Sequence, residues 1–221
     1  MINDPSKNDF LNRYTTLPVL LDMLYHKRLV LCNPATWEDR NDAFFIEQYR
    51  LRKKLPTTLA LCFAGKAETF HHWKVFAGGP SGVNIQFDRS KLIGRLRSQD
   101  GFKIGDVVYR SIPSIEAIPP KLEELPFVKR VPYTDENEFR IIYVNRNKVE
   151  KIKVIPLDLL SIRRVTLSPW LSEEVGRTVA KVIRDIDGCG HLKVARSTLL
   201  ENERWKNAVS ATATRRSRSE S

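Results

Sequence analysis

Thirteen residues, YTDENEFRIIYVN at 133–145, narrow the possible folds of this chain more than any other stretch. A polar turn, Thr134-Asp135-Glu136-Asn137, runs directly into an apolar strand, Phe139 to Val144. At the junction Glu136, Glu138 and Arg140 are spaced by two. In an extended chain, residues two apart point to the same side, about 6–7 Å from each other. Two carboxylates and a guanidinium therefore line one face where a strand begins. A strand made only to fill a core does not carry that much charge. The stretch points to a site and leaves its chemistry open.

The length, 221 residues, fits one large domain or one domain with an appendage. A hydrophobic content of 42% with 29% charged residues is that of a soluble globular protein. No run approaches the ~20 apolar residues that cross a bilayer, so no membrane partner is expected. The opening MINDPSKNDF places no apolar segment after a basic one, so a secretory leader is not expected either. Cys32, Cys62 and Cys189 are odd in number and widely spaced, which argues for reduced thiols and a cytoplasmic setting. The formal charge of +11 favours an acidic partner, a nucleic acid or nucleotide phosphates. Part of the excess sits in the tail TRRSRSES, where Arg215, Arg216 and Arg218 outnumber Glu220. A solvated basic surface with a disordered tail accounts for the same total.

Along the chain, residues 1–10 read as a flexible N-terminus. Asn12 to Thr16 is a short strand, and Thr16 can cap a helix with Pro18 in its first turn and Leu17, Leu20, Leu21 and Leu24 at helical spacing. Leu29 to Leu31 is a short buried strand. Asn41-Asp42 closes a polar knot that precedes a helix over Ala43 to Lys54. Thr57 to Phe63 is nearly all apolar, as in a strand buried on both faces. A short helix over 68–77 carries His71-His72-Trp73, and glycines break it before the alternating strand Val83 to Phe87. Asp88 opens a further helix to about Arg97, and Ile104 to Tyr109 is a strand. Residues 111–132 hold five prolines and read as a long connection with one helical turn near Lys121. Two short strands, Lys151 to Ile155 and Ile162 to Leu167, precede a helix opened by Ser172-Glu173-Glu174, and His191 to Ala195 is a weak last strand. The order lacks regular βα alternation. The expected class is α+β, a single domain over 11–207 of short mixed strands with about four helices, followed by a disordered basic Ser/Arg tail over 208–221.

Several segments together resemble the bacterial and phage family known as domain of unknown function 2971. They are Arg13-Tyr14, the Leu17–Leu24 helix, Asn41-Asp42-Ala43-Phe44, Cys62-Phe63, Trp73–Ala77, Gly82–Asp88, and Lys129 ahead of Glu136, Glu138 and Arg140. The pieces are ordered and span most of residues 11–200. Three positions depart from the family pattern: Ala43 stands where a proline is usual, Ala64 where a serine is usual, and the tyrosine of the tryptophan helix is replaced near Phe76. The resemblance implies no function by itself.

The candidate chemistry is glycosidic. A carboxylate beside a sugar can stabilise an oxocarbenium-like cation while a second one positions a nucleophile. ADP-ribosyltransferases use a similar Glu-x-Glu at a strand edge, an earlier arginine or histidine strand that holds NAD, and a small hydroxyl residue at a strand end between them. Arg13-Tyr14, Leu61–Ala64 and Glu136/Glu138 follow that order. By this analogy NAD is the substrate, Glu138 the electrostatic catalyst, and Glu136 the residue that orients the acceptor. Arg13 contacts phosphate, and Tyr14 with Trp73 shapes the base pocket. Asn41, Asp42 and Arg140 are further substrate-binding candidates. The same residues also read as structure: Glu136, Glu138 and Arg140 as an ion-pair cluster, Asn41-Asp42 as a turn bonding its own backbone, and Trp73 as core. Adjacent His71 and His72 diverge on a helix, and Cys189-Gly190-His191 lacks a second ligand pair, so no metal is assigned. The alternative from another class is a non-catalytic basic nucleic-acid-binding or interaction protein, whose binding would weaken steeply with salt.

Overall fold

The computed structural model describes residues 9–94 and 96–209. The expected flexible segment 1–10 therefore lies outside the described residues up to residue 8, and Phe10 already opens a strand. The expected tail lies outside them from residue 210, while Ala208 and Val209 close a helical stretch over 203–209.

Alternation in the strand after Asn137 sets the layering. Phe139, Ile141 and Tyr143 join the main core on one side of the sheet, while Ile142 and Val144 join a smaller one on the other. Glu138 and Arg140 share the second side, as the period of two requires. The strands are β1 (Phe10–Thr16), β2 (Arg28–Leu31), β3 (Thr57–Ala64), β4 (Gly82–Asp88), β5 (Phe102–Asp106), β6 (Val108–Arg110), β7 (Val128–Arg130), β8 (Glu138–Asn145), β9 (Lys153–Pro156), β10 (Ile162–Leu167) and β11 (Val194–Arg196). Seven of them form one sheet in the order β11-β10-β4-β1-β3-β8-β5, with β2–β9 and β6–β7 as separate pairs. The helices are α1 (Leu17–Tyr25), α2 (Arg40–Arg52), α3 (Phe70–Phe76), α4 (Arg89–Gly94), α5 (Ile112–Ala117) and α6 (Glu173–Asp185).

The fold is mixed α and β, as expected, with more helices than the four or so anticipated. The proline-rich stretch 111–132 is the main reason. Ser111 accepts a hydrogen bond from Ser114 N, and with Pro113 in the first turn it starts α5. The same stretch then holds a 3-10 turn, Leu122–Phe127, and the strand β7. Proline there starts elements rather than merely linking them. The single strand expected over Ile104–Tyr109 is two, β5 and β6. Val107 interrupts them and donates its N–H to Glu138 O at 2.8 Å. Thr16 precedes α1 as expected but makes no side-chain cap. Among the described residues no helix is long and apolar enough to cross a membrane.

The main core packs Leu20, Met23 and Leu24 of α1 against Leu11, Ile85, Phe63 and Ile141 of the sheet. The other face is covered unevenly. Over β3 and β8 lies α2, whose Ile46 and Tyr49 meet Ala60 and Ile142. Over β1 lies α3, whose Trp73 meets Tyr14 edge-on with ring centroids 5.4 Å apart. Between these two helices the sheet face is open. The sheet itself also parts there. Along its length β1 pairs with β4 from Phe10↔Asp88 to Thr16↔Gly82, but it meets β3 at Asn12↔Ala64 alone. Beyond that pair β1 and β3 diverge.

Candidate functional site

A cavity of about 500 Å³ occupies this opening. Asn12, Tyr14, Cys62, Ala64 and Glu138 form its floor, and Arg13 enters through the parting between β1 and β3. One wall is the approach to α2, with Trp37, Glu38, Asp39 and Asp42. The opposite wall is Val75 and Phe76 of α3, and Lys129, Tyr133 and Glu136 close the end.

The innermost part is a buried ion cluster. Arg140 is fully buried and uses its whole guanidinium. Its Nε donates to Glu138 Oε1 at 2.6 Å and Nη2 to Glu138 Oε2 at 2.9 Å. Nη1 donates to Asp42 Oδ1 at 2.8 Å and to Pro126 O at 3.0 Å, and Nη2 also donates to Asp42 Oδ2. The sequence makes room for this side chain: its register neighbours are Cys62 on β3 and Gly105 on β5. A Cβ on Gly105 would come within 3.3 Å of the Phe127 ring. Asp42 comes from across the cavity for a helical reason. Asp42, Ile46 and Tyr49 lie on one stripe of α2 and are all buried. The stripe that anchors the helix thus drives a carboxylate inward, where only a cation stabilises it. Asp39 caps the same helix, accepting from Asn41 N at 3.1 Å and Asp42 N at 3.3 Å.

Lys129 is the second cation. Its Nζ donates to Glu136 Oε2 at 2.6 Å and lies 3.5 Å from Glu138 Oε2 and 3.6 Å from Asp42 Oδ2. The two glutamates are thereby set apart. Burial pushes both up. For Glu138 the charge and hydrogen bonds of Arg140, with Lys129, outweigh burial and hold it down at about 2. For Glu136 burial prevails over Lys129, and the charge of Glu138 adds to it, lifting the carboxyl to about 7. Half-buried Cys62 is held as a thiol, pushed up by desolvation and then by the charge of Glu138.

The turn between the two glutamates is fixed from several sides. Asn137 has φ 42°, a left-handed conformation that asparagine tolerates. Asn137 N donates to Thr134 O at 3.1 Å, and Gly65 N donates to Asn137 O at 2.7 Å. Glu138 N donates to the Tyr109 hydroxyl at 2.8 Å. His72 Nε2 is 3.3 Å from Glu136 O, a carbonyl that can only accept, so Nε2 carries the proton and Nδ1 accepts from the Thr69 hydroxyl at 2.8 Å. Burial lowers the His72 pKa, keeping the ring neutral.

The structure thus brings Arg13, Tyr14, Asp42, Glu136 and Glu138 to one cavity. Arg13 is half-buried. Its Nη1 donates to Cys62 O at 3.3 Å, and no carboxylate pairs with it among the described residues. Three candidates sit elsewhere. Arg140 lies beneath the floor with its donors committed to Asp42, Glu138 and Pro126, so it holds the site rather than a ligand. Trp73 is fully buried and donates Nε1 to Glu68 Oε2 at 3.0 Å; it touches the cavity only through Tyr14. Asn41 faces a second cavity of about 310 Å³ between α2, α5 and β7, which shares Asp39, Asp42 and Lys129 with the first. Sequence reading passed over Lys129, Tyr109 and His72 as ligand-site residues, while Trp37 could support either a turn or a substrate contact. Lys129 had a signal as the lysine ahead of the Glu-x-Glu strand. Tyr109 and His72 had none, because they act on backbone groups that only the fold brings to them. Among the described residues no cluster of histidine, cysteine and carboxylates could hold a metal.

No family model matches the chain, and no curated protein matches it. Three solved structures of DarT from Thermus sp. 2.9 align over most of the chain. The complex with carba-NAD+ gives a TM-score of 0.45 at 11% identity, covering 87% of this chain and 97% of that one. The NAD+ complex gives 0.46 at 14%, covering 89% and 98%. The complex with ADP-ribosylated ssDNA gives 0.46 at 14%, covering 86% and 94%. Of the residues singled out in the sequence, Arg13, Tyr14, Asp42, Cys62, Phe63, Phe76, Lys129, Glu136 and Glu138 line the first cavity, whereas the Leu17–Leu24 helix and the Gly82–Asp88 strand do not.

Proposed function

We propose that the cavity binds NAD or a related nucleotide and cleaves its N-glycosidic bond, transferring the sugar to an acceptor as an ADP-ribosyltransferase does. The observation that carries this reading is a pair of buried carboxylates lining the cavity in different settings, Glu138 held through both oxygens by Arg140 and Glu136 by Lys129. Two titratable groups whose surroundings push them apart are the usual basis for separate acid–base and electrostatic roles. Glu138, ionised at all ordinary pH and held rigid by Arg140, stabilises positive charge developing at the anomeric carbon. Glu136, poised near neutrality, takes the proton of the attacking acceptor. Arg13, with donors to spare, takes a phosphate. Trp37, Tyr133 and Phe76 offer ring surfaces to the base or leaving group. Membership of domain of unknown function 2971 belongs to the same proposal, supported by those of its motif positions that line this cavity.

The test is release of nicotinamide from NAD by the purified protein. Glu138→Gln should abolish turnover while the thermal melt stays that of a folded protein. Full activity in that variant would overturn the assignment. The rival basic-protein reading draws on the charge of +11. It predicts salt-sensitive nucleic-acid binding indifferent to Glu138, reduced by deleting residues 209–221.

A further inference from the structure

The buried cluster does not balance. Three carboxylates, Asp42, Glu136 and Glu138, face two cations, Lys129 and Arg140, all at most 9% exposed. Around them the cavity adds Glu38 and Asp39 on one side and Arg13 on the other. In a chain of formal charge +11 the charged residues lining this cavity are five acids, Glu38, Asp39, Asp42, Glu136 and Glu138, against two bases, Arg13 and Lys129. Two of the rings at the acidic end already meet cations: Arg140 lies 5.2 Å from the Trp37 centroid and Lys129 Nζ 4.6 Å from that of Tyr133. Carboxylates among aromatic faces are the surroundings that a flat organic cation prefers. Tyr14, which lines the same cavity, keeps a buried hydroxyl with no hydrogen-bond partner, a group that a ligand would satisfy.

We infer that the end of the cavity bounded by Trp37, Tyr133, Glu136 and Glu138 recognises a planar heteroaromatic cation, an N-alkylpyridinium, and that seating it expels one proton from the carboxylate cluster. The inference rests on the same site as the proposed function and names the charge that its ligand must carry. A buried cluster with one carboxylate in excess keeps a proton rather than a bare negative charge. A ligand that brings the missing positive charge removes the reason to keep it.

Geometry puts the proton on Glu136, the one of the three carboxylates that Arg140 does not hydrogen-bond. Lys129 from β7 and Glu138 and Arg140 from β8 act on the Glu136 carboxyl, Tyr109 from β6 feels its charge, His72 from α3 meets its backbone carbonyl, and Asp42 from α2 shares Lys129 with it. Burial holds Tyr109 as the phenol and His72 neutral, while Lys129 is held as the cation by Glu138, Glu136 and Asp42 against the cost of burial. Burial also lifts Asp42, which meets Arg140 through both oxygens. Glu138 is held down and Glu136 is lifted to about 7. Glu136 is thus the group whose charge changes near neutrality. The cation binds the ionised form, so its affinity strengthens as pH rises through about 7.

The probes are 1-methylnicotinamide, which carries the charge, and nicotinamide, which does not. Titration calorimetry at pH 6.5, in two buffers of different ionisation enthalpy, should show ~0.8 proton released per 1-methylnicotinamide bound. Affinity should rise about tenfold between pH 6 and pH 8, and nicotinamide should bind at least tenfold more weakly at pH 8. Glu136→Gln should bind the cation without proton release and with no pH dependence over that range. Equal binding of the two probes, no detectable binding of 1-methylnicotinamide, or proton release unchanged in Glu136→Gln would overturn the inference. These results separate from those on turnover. Coupled cation binding without NAD cleavage keeps the subsite and removes the enzyme. Cleavage with equal binding of the two probes does the reverse.

Discussion

Replacing Arg140 by methionine removes the centre of the buried cluster while keeping the unbranched apolar stem. Five hydrogen bonds go with it, to both oxygens of Glu138, both oxygens of Asp42 and the carbonyl of Pro126. Breaking a buried pair by deleting one partner costs about 3–5 kcal/mol, because the other charge is left uncompensated. Here two carboxylates are stranded. Lys129 remains 3.5 Å from Glu138 and 3.6 Å from Asp42 and can turn toward either, which keeps the loss within that range. A domain has about 5–15 kcal/mol in all, so the variant sits near the edge of folding. At about 2–4 °C per kcal/mol for a chain this long, the melting temperature should fall by about 6–20 °C. Urea unfolding at pH 7.5, followed by circular dichroism, gives the free energy directly. Arg140→Lys should lose less, since the charge survives and the fork does not. Asp42→Asn combined with Arg140→Met should lose at least ~1 kcal/mol less than the sum of the single changes. If Arg140→Met unfolds within ~1 kcal/mol of the parent, the cluster does not hold the site and the reasoning from its geometry fails.

Tyr109→Phe leaves the Glu138 N–H without its acceptor at 2.8 Å, and a thermal melt should register a loss of about 1–3 kcal/mol; an unchanged melt would show the turn is held without it. The two glutamates bend stability with pH in opposite senses. Glu138, depressed to about 2, contributes above the ordinary glutamate range and loses that contribution as pH falls toward 2. Glu136, raised to about 7, keeps its proton in the folded state while the unfolded chain gives it up from about 4.5, so stability falls as pH rises from 4.5 through 7. Glu136→Gln should flatten that second limb in urea titrations between pH 5 and 8; the same slope in the variant would place the titrating group elsewhere.

Legibility in the sequence followed the range of the interaction. Period-two spacing placed Glu138 and Arg140 on one face of β8, and helical spacing placed α1 and α6, because these patterns are local. Asp42 was visible as a polar residue in a turn. Its partner was not, since Arg140 lies ninety-eight positions away and meets it only after α2 packs on β8. The proline-rich stretch hid α5 and β7, because proline marks both the start of a helix and a connection. Trp73 and Arg140 were read toward the ligand because size and charge suggest contact. The fold buries both, one as a wedge under Tyr14 and the other as a brace under Glu138. The parting of β1 from β3, which makes the cavity, has no local mark in either strand.

The most direct measurement is a crystal structure of the protein with a carbocyclic NAD analogue that cannot be cleaved. The account predicts the ligand in the first cavity, with its pyrophosphate on the Arg13 guanidinium and its pyridinium ring at the Trp37 and Tyr133 end. The carbocyclic ring carbon bonded to the pyridinium nitrogen, which stands for the anomeric carbon, would then lie over Glu138. A ligand bound elsewhere, or in the cavity with its phosphates against the glutamates, would contradict it.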